Sequence, residues 1–276
     1  MSILDIFWSI LWTTSDRKNW IFFTIQHLDN FALMKEDIIL NLKQVHERIE
    51  NACKTAGRDS ADVQLLLATK TVPAEKIRIA IEAGETLMGE NKMQELRDKD
   101  SELRNLNIER HFIGHLQTNK IKDVLKYATC IQSLDRLSLA QELDKQLQKE
   151  GRKLDVFVQV NTSFEESKFG LAPDAVISFI REIKQYETLT IKGLMTIGLL
   201  DVEKEKMRPS LRLLREIRDE IYNAKIDGIT DLKLSMGMSQ DLELAIAEGS
   251  NMVRVGTSIF GNRFLGKEIW NENIAE

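Results

Sequence analysis

The chain has 276 residues, of which 43% are hydrophobic and 29% are charged, values typical of a folded protein with one sizeable core. Its net charge is -5, and its basic residues are interleaved with acidic ones. This argues against nucleic acid as a partner, because nucleic-acid sites need a basic face. The two cysteines, Cys53 and Cys130, match no metal or redox spacing, so we expect reduced thiols in a cytoplasmic protein.

The first 33 residues differ in composition from the rest of the chain, since three of the four tryptophans fall there. The apolar run over 6–12 is too short to span a bilayer, and it lacks the basic start and small-residue cleavage pattern of a secretory signal. We interpret residues 1–33 as an extension outside the functional domain, which would cover 34–276. A weak interfacial membrane anchor is the alternative.

After an amphipathic helix pattern over 35–56, strand and helix patterns alternate to the end of the chain. The strands are apolar runs that end in glycine or polar residues, and the helices carry apolar residues at spacings of three and four. The predicted strands are 63–70, 86–88, 110–113, 129–133, 154–160, 190–195, 231–234 and 251–255. The predicted helices are 74–83, 91–104, 117–127, 135–149, 173–184, 203–224 and 240–247.

This alternation predicts the α/β class with a parallel sheet. About eight strand–helix units with no break in composition favour a single (β/α)8 TIM barrel with an additional N-terminal helix. An open doubly wound sheet is the alternative. No G-x-G-x-x-G follows the first strand, which counts against a dinucleotide-binding sheet.

Polar or flexible residues follow nearly every predicted strand, where such barrels carry their functional face. Each has an ordinary explanation by itself: Asn91 and Asp135 are suited to cap helices, and His115 to form a loop hydrogen bond. Their shared location nevertheless predicts a site. The candidates are Lys70, Glu90, Asn91, His115, Ser133, Asp135, Asn161, Met195, Ser235, Ser239, Arg254, Gly256 and Thr257.

His111 and His115 lie four residues apart, which is a zinc-ligand spacing on a helix. Gly114 and the strand-to-turn context break that helical geometry. We therefore expect no metal site.

Lys70 ends the most apolar predicted strand. An amine in that position loses hydration, which lowers a lysine pKa and favours the neutral form that attacks an aldehyde or ketone. The ordinary alternative is a lysine whose stem packs on the strand while its ammonium reaches water. This segment alone favours the ordinary alternative, and the clustering of the other candidates reverses the preference.

Barrels often bind phosphate with the loops that follow their seventh and eighth strands. Here Ser235-Met-Gly-Met-Ser239 and Gly256-Thr257 provide small residues, hydroxyls and backbone N–H groups that suit an anion. Arg254 lies on the last strand, and its guanidinium would point either into the barrel or outward to a helix. A phosphate cradle beside a desolvated lysine is the arrangement that a phosphorylated aldehyde needs.

Seven motifs in this order extend over most of the chain. They are Leu66-Leu-Ala-Thr-Lys-Thr-Val-Pro73, Gly89-Glu-Asn-Lys-Met-Gln-Glu95, His111-Phe-Ile-Gly-His-Leu-Gln-Thr-Asn-Lys120, Gln159-Val-Asn-Thr-Ser163 with Glu166-Ser-Lys168 and Gly170, Gly193-Leu-Met195, Leu234-Ser-Met-Gly-Met-Ser239 with Asp241, and Val253-Arg-Val-Gly-Thr-Ser-Ile-Phe-Gly261. With these motifs the chain resembles the pyridoxal phosphate homeostasis proteins, which are similar to the N-terminal barrel of alanine racemase.

This resemblance implies fold type III of the proteins that bind pyridoxal 5'-phosphate (PLP), with Lys70 forming a Schiff base to PLP. It also implies that Arg254 faces the pyridine nitrogen, where a cation disfavours protonation of the ring and weakens its electron sink. The residues implied to hold the phosphate are Ser235, Gly256 and Thr257. Those implied to line the cofactor are Asn91, His115, Asn161, Met195 and Met236.

By the same resemblance we expect a monomeric PLP carrier and homeostasis protein that hands PLP to apoenzymes, with little or no turnover. Only a short tail follows Gly261, so we expect no second domain like the one that supplies a tyrosine base in alanine racemase. Two alternatives remain. One is a PLP-dependent amino-acid racemase or lyase with weak activity, and the other is a class I aldolase in which Lys70 attacks a sugar phosphate.

Overall fold

The computed structural model of the protein describes residues 14–199 and 203–261, with side chains from residue 31 onward. In these residues eight parallel strands form a closed barrel in chain order, and the last strand pairs with the first. The predicted TIM barrel is therefore confirmed. The strands are β1 (Gln64–Ala68), β2 (Leu87–Glu90), β3 (Glu109–Phe112), β4 (Cys130–Leu134), β5 (Leu154–Gln159), β6 (Leu189–Met195), β7 (Lys233–Ser235) and β8 (Met252–Val255).

The helices pack around the outside of the barrel, between successive strands. A long first helix, α1 (Thr14–Thr55), precedes the barrel, as the predicted additional N-terminal helix requires. The others are α2 (Ala74–Glu82), α3 (Met93–Leu103), α4 (Ile121–Val124), α5 (Leu137–Glu150), α6 (Val176–Ile183), α7 (Lys204–Asn223), α8 (Leu242–Ala247) and α9 (Thr257–Phe260). Single 3-10 turns lie at Ser60–Asp62, Thr118–Lys120 and Pro173–Ala175.

The core has two layers because successive strand residues point to opposite sides of the barrel wall. Leu66 faces the barrel interior, whereas its neighbours Leu65 and Leu67 face the surrounding helices. The buried interior cluster contains Leu66, Leu87, Cys130, Phe157, Met195 and Met252. Most of the apolar burial lies in the outer layer between strands and helices, which explains why the strands appear in the sequence as nearly continuous apolar runs.

Helix α1 packs an apolar stripe against the seam where β8 meets β1. Ile38, Leu42 and Val45 lie at helical spacing and are buried in one cluster with Val253. The helix continues without a break through the proposed boundary after residue 33, and the partly buried Met34 contacts the same cluster. The assignment of residues 1–33 to an extension remains a prediction, and positions 1–13 lie outside the described residues. No helix in the described part of the chain has an apolar stretch suited to crossing a bilayer.

Several predicted element ends were wrong. Strand β1 ends at Ala68, so Lys70 lies in the following turn; Thr71 adopts φ 62°, which ends the extended conformation. Neither Asn91 nor Asp135 is an N-cap, because α3 and α5 begin later, after the cap positions Lys92 and Arg136. The Asp135 carboxylate instead binds the Arg136 guanidinium at 2.7 Å.

The interior layer predicts a large difference between two phenylalanines. Phe157 is 3% exposed inside the barrel, whereas Phe164 is 72% exposed. Phe157→Ala should lower the free energy of unfolding by about 3–5 kcal/mol, since it leaves a cavity that the closed wall fills poorly. Phe164→Ala should change it by less than about 0.5 kcal/mol. Urea unfolding measures both, and equal effects would contradict this account of the core.

Candidate functional site

The turns that follow β1 and β8 lie side by side because these two strands close the barrel. The ladder between them runs from the pair Gln64 and Met252 to the pair Leu67 and Val255. Just beyond it the backbones approach so closely that a Cβ on Gly256 would lie 2.5 Å from the Ala68 carbonyl oxygen. Only glycine fits there. This close approach brings the turn of Lys70 against the start of α9.

A cavity of about 530 Å³ opens between these two turns, a volume suited to a small cofactor. Lys70, Ser239, Arg254, Gly256 and Thr257 all line it, so the structure brings together five residues that the sequence placed at strand ends. Among the described residues that line it none is acidic, and its cationic members are Lys70, Lys76 and Arg254. The cavity is therefore suited to an anionic ligand that carries a carbonyl group.

The start of α9 provides backbone donors at the cavity. The first hydrogen bonds of this turn run from the Ile259 and Phe260 amides to the Gly256 carbonyl. The amides of Thr257 and Ser258 precede them and have no acceptor within the helix, as at any helix start. Together with the Thr257 and Ser258 hydroxyls, these amides form a set of donors from which an anion can accept hydrogen bonds.

Side chains of helix α1 hold two segments that border this cavity. The Asn41 side chain donates to the Ile259 carbonyl at 3.0 Å, and Arg48 donates to the Ser239 carbonyl at 2.9 Å. Arg48 also binds the Glu243 carboxylate at 2.7 Å. The additional N-terminal helix is thus part of the framework of the site.

Arg254 enters the cavity from the barrel interior, which settles its orientation. Its guanidinium donates to the Ser235 carbonyl at 2.6 Å, to the Ser235 hydroxyl at 2.8 Å and to the Thr196 carbonyl at 2.6 Å. Burial lowers the pKa of Arg254 to about 10, and the Asp241 carboxylate acts in the opposite direction. The group therefore stays cationic at neutral pH.

A polar chain continues from Arg254 across the barrel interior. The Ser235 hydroxyl donates to Gln132 Oε1 at 2.7 Å, and Gln132 Nε2 lies 2.7 Å from His111 Nδ1. All three side chains are buried. Satisfied buried networks of this kind hold their members in one arrangement, so the orientation of Arg254 is fixed from below.

Lys70 lies in a turn that neighbouring side chains hold on both sides. It is partly buried, and it lines the cavity. The Thr69 carbonyl before it accepts from Lys99 Nζ at 2.8 Å, and the Thr71 amide after it donates to Glu95 Oε2 at 2.6 Å. The position of Lys70 therefore depends on groups carried by the next strand–helix unit.

Glu90 lies at the centre of these contacts and is fully buried. Its Oε1 accepts from Lys99 Nζ and from the Thr69 hydroxyl, each at 2.6 Å. Burial raises the pKa of Glu90 to about 7, against the opposing effect of the Lys99 ammonium and the Thr69 hydrogen bond. Burial also acts to raise the pKa of Glu95, but the hydrogen bonds from Lys99 and the Thr71 amide outweigh it and lower that pKa.

The other predicted site residues lie on the same end of the barrel but do not line this cavity. The His115 ring stacks on Phe169 with centroids 3.8 Å apart, and its Nδ1 lies 3.7 Å from Asp135 Oδ2. Asn161 donates to the Glu165 carbonyl at 2.9 Å and so orders its own loop. The remaining members are Asn91, which is partly buried, Ser133, which is buried on β4, Met195 in the interior cluster, Ser235 below Arg254, and Met236 in the outer core. Their contact with a cofactor stays a prediction.

Sequence reasoning missed three residues of this region, namely Ser258, Lys76 and Lys99. Ser258 follows Thr257 directly, and Lys76 lies in the first turn of the helix after Pro73, so position in the chain was a usable signal for both. Lys99 lies within an ordinary amphipathic helix, and only its contacts single it out. Within the described residues, no three His, Cys, Asp or Glu side chains come close enough to hold a metal ion.

Comparison with known proteins places this geometry among relatives. The family model of the alanine racemase N-terminal domain matches residues 40–263. A pyridoxal phosphate homeostasis protein of Aquifex aeolicus is 42% identical over 225 residues, which cover 80% of this chain and 96% of the relative. The structure of PipY from Synechococcus elongatus with PLP bound has a TM-score of 0.68 at 31% identity, over 78% of this chain and 100% of that one. An alanine racemase of Clostridium difficile shares the fold, with a TM-score of 0.66 at 16% identity over 82% of this chain and 57% of that chain.

The raised pKa of Glu90 predicts a pH dependence of stability. The folded state holds the Glu90 proton to about pH 7, whereas the unfolded chain releases it near 4.5. The resulting stabilisation is fully present below pH 4.5 and is lost as the pH rises through 7. Glu90→Gln removes this titration, so the stability of the wild type relative to the variant should fall over that window.

Urea unfolding between about pH 4.5 and about pH 8 measures this difference. Glu142→Gln is the control: hydrogen bonds from Gln146 and Lys145 lower the pKa of Glu142, so its loss should not reproduce the effect. Parallel stability curves for the wild type and Glu90→Gln would contradict the assignment.

Proposed function

The chain belongs to the family of pyridoxal phosphate homeostasis proteins, with the alanine racemase N-terminal domain as its fold, and from this premise we propose that it binds PLP through a Schiff base to Lys70 and serves PLP homeostasis. One observation carries the proposal: Lys70, Arg254 and the Gly256–Thr257 turn line a single cavity without an acidic residue among its described lining. A phosphorylated aldehyde needs an amine and an anion site within one such cavity.

The residues present fit this cofactor. When bound, PLP supplies an aldehyde that condenses with amines and a pyridine ring that withdraws electrons. In our proposal the Lys70 amine takes the aldehyde, and the amides and hydroxyls of Thr257 and Ser258 hold the phosphate. Lys76 adds positive charge to the same cavity. This arrangement requires the close approach of Gly256 to Ala68. A side chain at position 256 would push the Lys70 turn and the start of α9 apart.

Arg254 supports carriage of the cofactor rather than turnover. We propose that its guanidinium faces the pyridine nitrogen, as the family resemblance implies, and that its cationic form disfavours protonation of that nitrogen. The contacts with Ser235 and Thr196 hold the guanidinium in place, so it does not swing away to allow protonation. Little or no amino-acid turnover is the expected consequence, because an unprotonated ring is a weaker electron sink.

The cellular role in this proposal is to bind the reactive aldehyde, limit its free concentration and pass it to PLP-dependent apoenzymes. We propose a monomer located in the cytoplasm. Cys53 and Cys130 are free, buried thiols, which supports that compartment because its reducing conditions keep thiols unpaired.

The Schiff base is tested by Lys70→Ala, which should abolish the visible absorption of the PLP-loaded protein. Borohydride reduction of the wild type, followed by peptide mass analysis, should place the coenzyme on Lys70. Lys76→Ala is the matched control from the same cavity and should keep the visible band.

A label on another lysine, or none, would overturn the proposal, and a colourless protein that fixes a sugar phosphate would favour the class I aldolase. Amino-acid turnover that depends on Lys70 would favour the weak racemase or lyase.

The phosphate site is tested by Thr257→Ala, which should weaken PLP retention by about 1–3 kcal/mol because one hydrogen bond to a charged group is lost. Thr257→Ser keeps the hydroxyl and should retain most of the affinity. Fluorescence titration of the cofactor-free variants measures both. Unchanged affinity in Thr257→Ala would refute the assignment of this turn to the phosphate.

A further inference from the structure

Three charged side chains of the β2–α3 unit form a compact cluster beside the turn of Lys70. Lys99 lies between two carboxylates, with its Nζ 2.6 Å from Glu90 Oε1 and 2.9 Å from Glu95 Oε2. Lys99 is 12% exposed and Glu90 is fully buried, so the pair is largely shielded from water. None of the three lines the cavity.

The cluster holds the backbone on both sides of Lys70. Before it, the Thr69 carbonyl accepts from Lys99 at 2.8 Å and the Thr69 hydroxyl donates to Glu90 at 2.6 Å. After it, the Thr71 amide donates to Glu95 at 2.6 Å. Thr71 has φ 62°, a left-handed conformation that a β-branched residue adopts only when other contacts maintain it.

Stability alone does not account for this arrangement. A buried ion pair loses hydration on both partners, and replacement by apolar residues of similar size is often neutral or stabilising. Glu90 adds a further cost, since its carboxyl group is fully buried. A cluster that costs free energy and contacts both neighbours of Lys70 is better explained by a requirement on the geometry of that turn.

We propose that Lys99, held between Glu90 and Glu95, is a positioning residue that fixes the Lys70 turn, so that the Lys70 amine is presented to the ligand in the cavity. This inference rests on the proposed function for the identity of that ligand. It assigns Lys99 no contact with PLP. Lys99 acts through its hydrogen bond to the Thr69 carbonyl and through Glu95, whose carboxylate accepts a hydrogen bond from the Thr71 amide.

The test compares Lys99→Met with the double variant Glu90→Gln and Lys99→Met. The single variant leaves a buried carboxylate unpaired, so it loses stability as well as the contact to Thr69. The double variant removes both charges and should recover much of the lost stability, yet it still lacks the donor to Thr69. A merely structural pair would regain both stability and PLP affinity in the double variant.

Asp100→Asn is the matched control. Asp100 follows Lys99 on the same helix and forms a partly buried ion pair with Arg110 at 2.6 Å, but it does not contact the Lys70 turn. We expect it to cost stability without changing PLP affinity.

Two measurements separate this inference from the proposed function. The first is amide hydrogen exchange at Thr71 in the cofactor-free protein, which should be faster in both Lys99 variants and unchanged in Asp100→Asn. The second is PLP titration, in which both Lys99 variants should bind about 10- to 100-fold more weakly, because binding must then order a turn that has lost a hydrogen bond from a charged group. Borohydride labelling of the wild type tests the Schiff base independently.

Faster exchange together with weaker binding in the double variant establishes the positioning role. Wild-type exchange in both Lys99 variants overturns it, and so does wild-type affinity in the double variant. An equal loss of affinity in Asp100→Asn also overturns it, because the effect would then follow helix stability. If the wild type carries no label on Lys70, the proposed function fails, while the exchange measurement still decides whether Lys99 orders the turn.

Discussion

The ladder between β1 and β8 is the interaction on which the site depends. It joins strands near opposite ends of the barrel sequence and brings the Ala68 carbonyl against Gly256, so the Lys70 turn and the start of α9 line one cavity. Helix α1 supports this seam from outside: its apolar stripe is buried in one cluster with Val253, and its Asn41 and Arg48 side chains donate to the Ile259 and Ser239 carbonyls beside the cavity. A chain that failed to close would have all the motifs and no site.

Polar groups in the barrel interior determine the orientation of the Arg254 side chain. A guanidinium inside a closed barrel is costly unless its donors are satisfied, and here two carbonyls and one hydroxyl accept from it. Ser235, the last residue of β7, receives Arg254 and donates onward to Gln132, so its hydroxyl is engaged below the cavity. The sequence alone left Arg254 free to point into the barrel or outward to a helix. These contacts fix it in the inward orientation.

The fold was predictable because each strand of a closed parallel barrel is buried on both sides and appears as an apolar run. The end of β1 was not predictable, since a threonine with positive φ depends on Glu95 from the next unit. Lys70, Arg254, Gly256 and Thr257 could be placed because strand ends converge at one face of a barrel. Lys99 could not, since in sequence it is one more lysine on an exposed helix, and its contact with Thr69 arises only when α3 packs beside β1.

Charge distribution explains how a protein of net charge -5 presents a cavity lined by Lys70, Lys76 and Arg254. The carboxylates nearest the Lys70 turn, Glu90 and Glu95, are engaged by Lys99 and by the turn's own backbone, so they do not line the cavity. The cations that do line it act on a ligand in a partly enclosed space, where charge is screened less than at the open surface. Acidic groups that hold the backbone and basic groups that face the cavity thus lie on different sides of one turn. Because of this separation, Glu90 and Glu95 can fix the turn without neutralising the cations that line the cavity.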